Sequence, residues 1–174
     1  MAQEVQSVMK KISLNKIVLN MGVGKSGEAI EVAKKALKQI SGKKSCPRDA
    51  KATQRDWGVR KGEPIGVAVT VRGNDAKELL KRLLEAKGNE VNGSSFDDFG
   101  NYSFGIKEHI DVPGVKYDPK IGILGLGASV VLTRPGYNIR FRSKHKASVG
   151  KSHTISKKQA QDFLVKEFGV EVVN

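Results

Sequence analysis

One stretch constrains this fold more than any other. In Pro64–Arg72, Ile65, Val67, Val69 and Val71 alternate with Gly66, Ala68, Thr70 and Arg72. Successive side chains of a strand point to opposite faces, so one face is a row of branched aliphatic residues that a core must cover. The other face carries two small residues, one hydroxyl and one guanidinium. It is not built to pack a second core; it lets a partner approach the backbone closely and offers that partner donors. A strand of this kind belongs in a sheet covered on one side only.

The rest of the chain supplies the cover. Val5, Val8, Met9 and Ile12 fall at helical spacing and predict a short N-terminal helix. Ile17, Leu19 and Met21 alternate with Lys16, Val18 and Asn20, a strand broken by Gly22, Gly24 and Gly27. A helix follows, with Ile30, Ala33, Leu37 and Ile40 on one face and Gly42 ending it. Asn74 is placed to cap a helix over residues 75–87, with Leu79, Leu80, Leu83 and Leu84 inward and Gly88 at its end. Strands are expected over 100–106, where Tyr102, Phe104 and Ile106 alternate with smaller residues, and over 121–132. Tyr137, Ile139 and Phe141 alternate with Arg140 and Arg142, which predicts extended chain there. Ser156 and Gln159 form a capping box before Ala160, Phe163, Leu164 and Phe168. Strands and helices mix without strict alternation. The expected class is α+β: a two-layer sandwich, with a largely antiparallel sheet, helices on one face and an open face suited to RNA.

At 174 residues the chain fits a single domain with a real core, and 39% hydrophobic with 28% charged residues suits a folded, soluble protein. The net charge of +13 is unevenly placed. Arg134, Arg140, Arg142, Lys144, Lys146, Lys151, Lys157 and Lys158 fall in 134–158 without one Asp or Glu, a basic extension. A second basic segment, 43–62, carries Lys43, Lys44, Arg48, Lys51, Arg55, Arg60 and Lys61 against Asp49 and Asp56. It lacks a core face and reads as a long hairpin whose tip leaves the body. The stretch between the two segments is mildly acidic. Such a footprint marks a polyanion binder, with nucleic acid first. Anionic lipid calls for basic amphipathic helices, and these segments hold Pro, Gly and alternating aromatics instead. The longest near-apolar run, 121–132, is too short and too glycine-rich to span a bilayer, and the N-terminus lacks a signal-peptide profile. Cys46 stands alone, so no internal disulfide is expected, and a reducing cytoplasm fits.

No motif supports catalysis. Gly22-Val23-Gly24-Lys25-Ser26-Gly27 satisfies G-x-G-x-x-G between a strand and a helix, yet Leu19 stands where a Walker loop needs glycine. The ribose-binding acid of a dinucleotide site is missing too, since that region is basic. The turn reads as a tight strand-to-helix connection, or as a place where amides meet an RNA phosphate. His109, His145 and His153 lack ligand spacing, so no metal is expected, and each reads as a solvent or phosphate contact. Asp97 and Asp98 are adjacent and diverge, a poor acid–base pair. Cys46 reads as a small filler residue. Trp57, between Arg55 and Arg60, is either buried or stacked on a base, and the sequence leaves both open. No cofactor is expected.

Four ordered segments carry a resemblance: Asn20-Met21-Gly22-Val23-Gly24, Arg60-Lys61-Gly62-Glu63-Pro64-Ile65-Gly66, Val69-Thr70-Val71-Arg72-Gly73 and Asn101-Tyr102-Ser103-Phe104-Gly105-Ile106-Lys107-Glu108. In order and spacing they resemble the ribosomal protein L-five family, the 5S rRNA-binding proteins of the large subunit. Arg134-Pro135-Gly136 with the basic stretch after it resembles the archaeal and eukaryotic branch, and the chain fits the archaeal type. The resemblance implies a non-enzymatic constituent of the cytoplasmic ribosome, monomeric there and away from membranes. Its open sheet face binds 5S rRNA and attaches it to the central protuberance, with Lys16, Asn20, Gly22, Gly24, Lys61, Gly66, Thr70 and Arg72 as the expected contacts. The 43–62 hairpin meets the P-site tRNA through Lys51, Thr53, Gln54, Arg55 and Trp57. Arg134, Arg140, Arg142, Lys144, Lys146 and Lys151 meet large-subunit rRNA. Neighbouring 5S-binding proteins, and a small-subunit head protein across an intersubunit bridge, complete the implied partners. Many relatives carry an acid at the position of Gly127, so whatever contact that acid makes is in doubt here.

Overall fold

The alternation in Pro64–Arg72 is realised in the computed structural model, which describes residues 7–173. In chain order the elements are β1 (Ser13–Gly22), α1 (Glu28–Ser41), β2 (Cys46–Asp49), β3 (Pro64–Arg72), α2 (Asn74–Ala86), β4 (Glu90–Asn92), β5 (Tyr102–Ile106), β6 (Leu126–Thr133), α3 (Lys157–Phe168) and β7 (Glu171–Val173). Five strands form one sheet in the order β2-β3-β1-β6-β5, antiparallel at each pairing. The short β4 and β7 pair in parallel as a separate ribbon. The architecture is the expected α+β with an open sheet.

Register explains why one face is covered. Ile17 lies opposite Val71 and Val130, Leu19 opposite Val69 and Ala128, and Met21 opposite Val67. Directly paired residues share a face, so these aliphatics form continuous rows. Against them pack Ile30, Ala33, Leu37 and Ile40 of α1 and Leu79, Leu80, Leu83 and Leu84 of α2, all buried. Each such leucine contributes roughly 1.5–3 kcal/mol by leaving water. Gly42 closes α1 in the left-handed region at φ 66°, as the sequence indicated. Ser156 and Gln159 make the capping box of α3, whose Ala160 and Leu164 are buried and whose Phe163 and Phe168 pack partly against the core.

The structure corrects several expectations. The N-terminal helix is only a 3-10 turn, Val8–Lys10, with no buried residue; Val5 lies outside the described residues. Asn74 does not cap α2: Gly73 holds the N-cap position at φ 75°, and Asn74 already lies in the helix. The strand expected over 121–132 is β6, which begins only at Leu126, because the chain first turns at Asp118–Gly122. Residues 137–140 are not extended. Gly136, at φ 94°, turns the chain into a 3-10 segment, and the Tyr137 hydroxyl locks it by accepting from the Ile155 amide and donating to the His153 carbonyl. His109 is no solvent or phosphate contact: it is fully buried, and its Nδ1 accepts the Leu124 amide.

At the β5 edge an aromatic stack closes the core, with Tyr102 centred 4.8 Å from Phe96 and 5.0 Å from Phe104. Burial pushes the Tyr102 phenol from its ordinary 10.0 up to about 12. Below pH 10 folded and unfolded chains both keep the proton, and this contribution to stability is complete. Between pH 10 and 12 only the unfolded chain ionises there, so stability falls as pH rises, by on the order of 2–3 kcal/mol at the upper limit. Urea midpoints across that window should therefore drop more steeply for the wild type than for Tyr102→Phe; parallel curves would show that the phenol is not the cause.

Candidate nucleic-acid interface

The face of the sheet away from the helices is laid out by the same register. Arg72 stands opposite Lys16, Thr70 opposite Val18, and Ala68 opposite Asn20. On the other side of β1, Val18 faces Ser129 and Asn20 faces Gly127; beyond them Ser103 pairs with Ser129 and Gly105 with Gly127. Gly22 and Gly66 pair at one end, with Arg48 beside Gly66. Lys16, Asn20, Gly22, Gly66, Thr70 and Arg72 therefore share one face, as a band of donors over a glycine-lined floor. Asn20, Thr70 and Arg72 are exposed and Lys16 is half-buried. Gly66 is required there for a local reason: a Cβ at this position would lie 2.9 Å from the Met21 carbonyl oxygen.

Register adds Arg48, Cys46 and Ser129 to this surface, a placement that the sequence alone did not reveal, beside Ser103, which alternation in β5 already set on the face opposite Tyr102 and Phe104. The Ser103 hydroxyl donates to that of Ser129 at 3.2 Å. Cys46 is exposed and lies opposite Ala68, not a filler of the interior.

Gly24 and Lys61 lie off the sheet face. Gly24 sits in the turn after β1 at φ 73°, and the amides of Val23 and Gly24 both donate to the Ile65 carbonyl, at 3.0 and 2.9 Å. Those amides are spent inside the protein and are not offered to a phosphate. Glu28 and Glu31 in the first turn of α1 further oppose an anion at that helix start.

Residues 50–63 join β2 to β3 as a hairpin loop. At its base the Ala50 amide donates to the Glu63 carbonyl and the Ala50 carbonyl accepts the Gly62 amide, Gln54 and Val59 bond each other in both directions, and Arg55–Gly58 forms the tip. Lys51, Thr53, Gln54, Arg55 and Trp57 are all exposed, Trp57 to 78%, which removes burial in the core as its role. Thr53 has a local duty, since its hydroxyl oxygen accepts the Lys61 amide. The loop is clasped to the glycine turn. Glu63 accepts the Ser26 hydroxyl at 2.5 Å and the Arg60 amide at 3.1 Å, and these bonds, the Ser26 hydroxyl first, hold its carboxyl below the ordinary 4.5.

In the basic extension, Arg140, Arg142, Lys144, Lys146 and Lys151 are exposed. Arg140 stacks over the Phe99 ring at 5.4 Å, and Arg142 Nε donates to the His145 carbonyl. Arg134 departs from them. It is only 8% exposed, and its guanidinium nitrogens Nη1 and Nη2 donate to the His153 carbonyl and to Gln159 Oε1, so these two nitrogens are satisfied within the protein. Among the described residues no group of His, Cys, Asp and Glu could hold a metal ion, and no helix is long and apolar enough to cross a membrane.

Known proteins resemble this chain over nearly its whole length. Residues 7–60 match the family model "Ribosomal protein L5", and residues 64–172 match the model for the C-terminus of the same ribosomal family. The seam between the two matches falls in the hairpin loop, yet both segments contribute strands to the same sheet. Among curated relatives, "Large ribosomal subunit protein uL5" of Nitrosopumilus maritimus is 76% identical, over 99% of this chain and 99% of its own length. The proteins of the same name from Cenarchaeum symbiosum and Sulfurisphaera tokodaii are 69% and 46% identical, over 95% and 98% of this chain and 98% of their own lengths.

Proposed function

Since the chain belongs to the ribosomal L5 family, archaeal type, and so is a structural protein of the large ribosomal subunit in the cytoplasm, we propose that its open sheet face binds 5S rRNA and attaches it to the central protuberance. The observation that carries this reading is the band Arg72–Lys16, Thr70 and Asn20 over the Gly22, Gly66, Gly105 and Gly127 floor. Cations and amide or hydroxyl donors suit phosphate and ribose, and bare backbone lets a nucleic-acid strand come close.

The hairpin loop, which buries Ala50 and Val59 but exposes residues 51–58, serves the P-site tRNA, with Lys51 and Arg55 for phosphate and Trp57 for stacking. Arg140, Arg142, Lys144, Lys146 and Lys151 hold large-subunit rRNA. Arg134 supports the extension from inside. The protein acts without catalysis, as one copy per ribosome, beside other 5S-binding proteins and across a bridge to the small-subunit head.

Titrating a 5S rRNA transcript at several salt concentrations tests the reading. Log affinity should fall linearly with log salt. Replacing Thr53–Trp57 by a Gly-Ser turn should leave that titration unchanged, while P-site tRNA dissociates faster from ribosomes carrying the shortened loop. Loss of 5S binding in this variant, or unaltered tRNA retention, would mean the two surfaces have been assigned wrongly.

A further inference from the structure

A groove of about 1030 Å³ runs between the first described residues and the outer side of α3. Val8, Lys10, Lys11, Arg134, Phe163 and Lys166 line it, and no residue of the open sheet face does. A partner seated here and an RNA on the sheet would therefore not compete for side chains.

Arg134 makes this groove more than a surface irregularity. Arg134 is more than nine-tenths buried, its Nη1 and Nη2 reach a carbonyl and an amide oxygen at 3.2 and 3.0 Å, and the Nε–H has no partner among the described residues. The amide oxygen is already shared, because Gln159 Oε1 also accepts the Ser156 amide of the α3 cap. Among the described residues the ion pairs are Lys34–Glu31 and Lys43–Asp75, so no carboxylate stands within 4.0 Å of Arg134. A buried cation with neutral partners and an idle donor is held at a cost that an incoming carboxylate would offset. Lys10, Lys11 and Lys166 on the same walls extend the attraction for negative charge.

The rest of the lining selects the kind of anion. Val8 is 79% exposed, and Ile12 and Phe163 are only partly covered, so the groove offers apolar area that a phosphodiester cannot use. Asp162 and Glu167 also line it, so the groove suits a single carboxylate placed at Arg134 and opposes the evenly spaced charges of a phosphate chain. A volume at the top of the range that holds a small ligand leaves room for a short peptide. We infer that the groove receives a segment of a neighbouring protein that carries a carboxylate for Arg134 and apolar side chains for Val8, Ile12 and Phe163.

Photo-crosslinking within assembled large subunits tests this. The photoreactive residue p-benzoylphenylalanine replaces Val8, whose exposure keeps the substitution out of the core. The expected product joins this chain to another protein of the subunit, at a segment that mass spectrometry shows to hold both acidic and apolar residues. Lys10→Glu with Lys11→Glu should cut the yield roughly tenfold by removing the rim attraction, and circular dichroism should show an unchanged fold. Crosslinks to rRNA, to residues 1–6 of the same chain, or to nothing would overturn the proposal. So would a protein crosslink whose yield ignores the lysine reversals.

Discussion

Gly100→Ala should destabilise the protein by about 3–4 kcal/mol, a large share of the total stability of an ordinary domain. Two costs combine. Gly100 sits at φ 76°, where an L side chain is strained by roughly 1–2 kcal/mol. Its Cβ would also land 2.6 Å from Ile155 Cγ2, 3.1 Å from Ile155 Cβ and 3.3 Å from Ala160 Cβ. Ile155 and Ala160 are both fully buried, and Ile155 is branched at Cβ, so neither can swing aside. Overpacking of this kind adds about 1–3 kcal/mol. Gly88→Ala separates the two costs, because Gly88 has nearly the same φ, 77°, and nothing within 4 Å of its built Cβ. Urea denaturation should place Gly88→Ala near 1 kcal/mol, with Gly100→Ala well beyond it. Equal losses would mean that the β5–α3 junction gives way more readily than its burial indicates.

That junction also marks where the sequence stopped being legible. β1, β3 and β5 were readable because a strand covered on one face writes a period of two into its residues, as at Ile17, Leu19 and Met21. The same pattern misled at Tyr137–Phe141. There the alternation is coincidental, and a glycine at positive φ together with one tyrosine hydroxyl sets the path. Asn74 was a fair cap by residue type, but the backbone of Gly73 already had the geometry needed to start α2. The β4–β7 pair is three residues long and joins distant parts of the chain, so it leaves no local trace.

The open face divides in the same manner. Thr70 and Arg72 follow from alternation within one strand. Ser129 and Arg48 arrive there only through register between strands apart in sequence. Arg134 shows the converse. Its place in an acid-free basic run suggested an RNA contact, but burial depends on Tyr137, His153 and α3, which spacing along the chain does not reveal.

Arg72→Glu should weaken 5S rRNA binding by on the order of 2 kcal/mol, through a lost charged contact plus repulsion, and yet slightly stabilise the free protein. The opposite signs follow from register. Arg72 lies directly across from Lys16, and like charges directly opposite in an antiparallel pair are unfavourable by a few tenths to about 1 kcal/mol. Reversing one of them turns that repulsion into attraction. Reversing both, Lys16→Glu with Arg72→Glu, restores a like-charged pair and should bring stability back towards the wild type. RNA binding should meanwhile drop by about 4 kcal/mol in all, near a thousandfold, and the slope of log affinity against log salt should flatten by roughly 2. The sites are neighbours, so the losses need not add strictly. The crossing of the two readouts is what identifies function: a pair that only supported the sheet would move stability and binding together. Urea denaturation and 5S titrations on the wild type and these two variants decide it. Should Arg72→Glu weaken the fold, or the double reversal bind 5S rRNA like the wild type, the band across β1 and β3 is not the RNA contact.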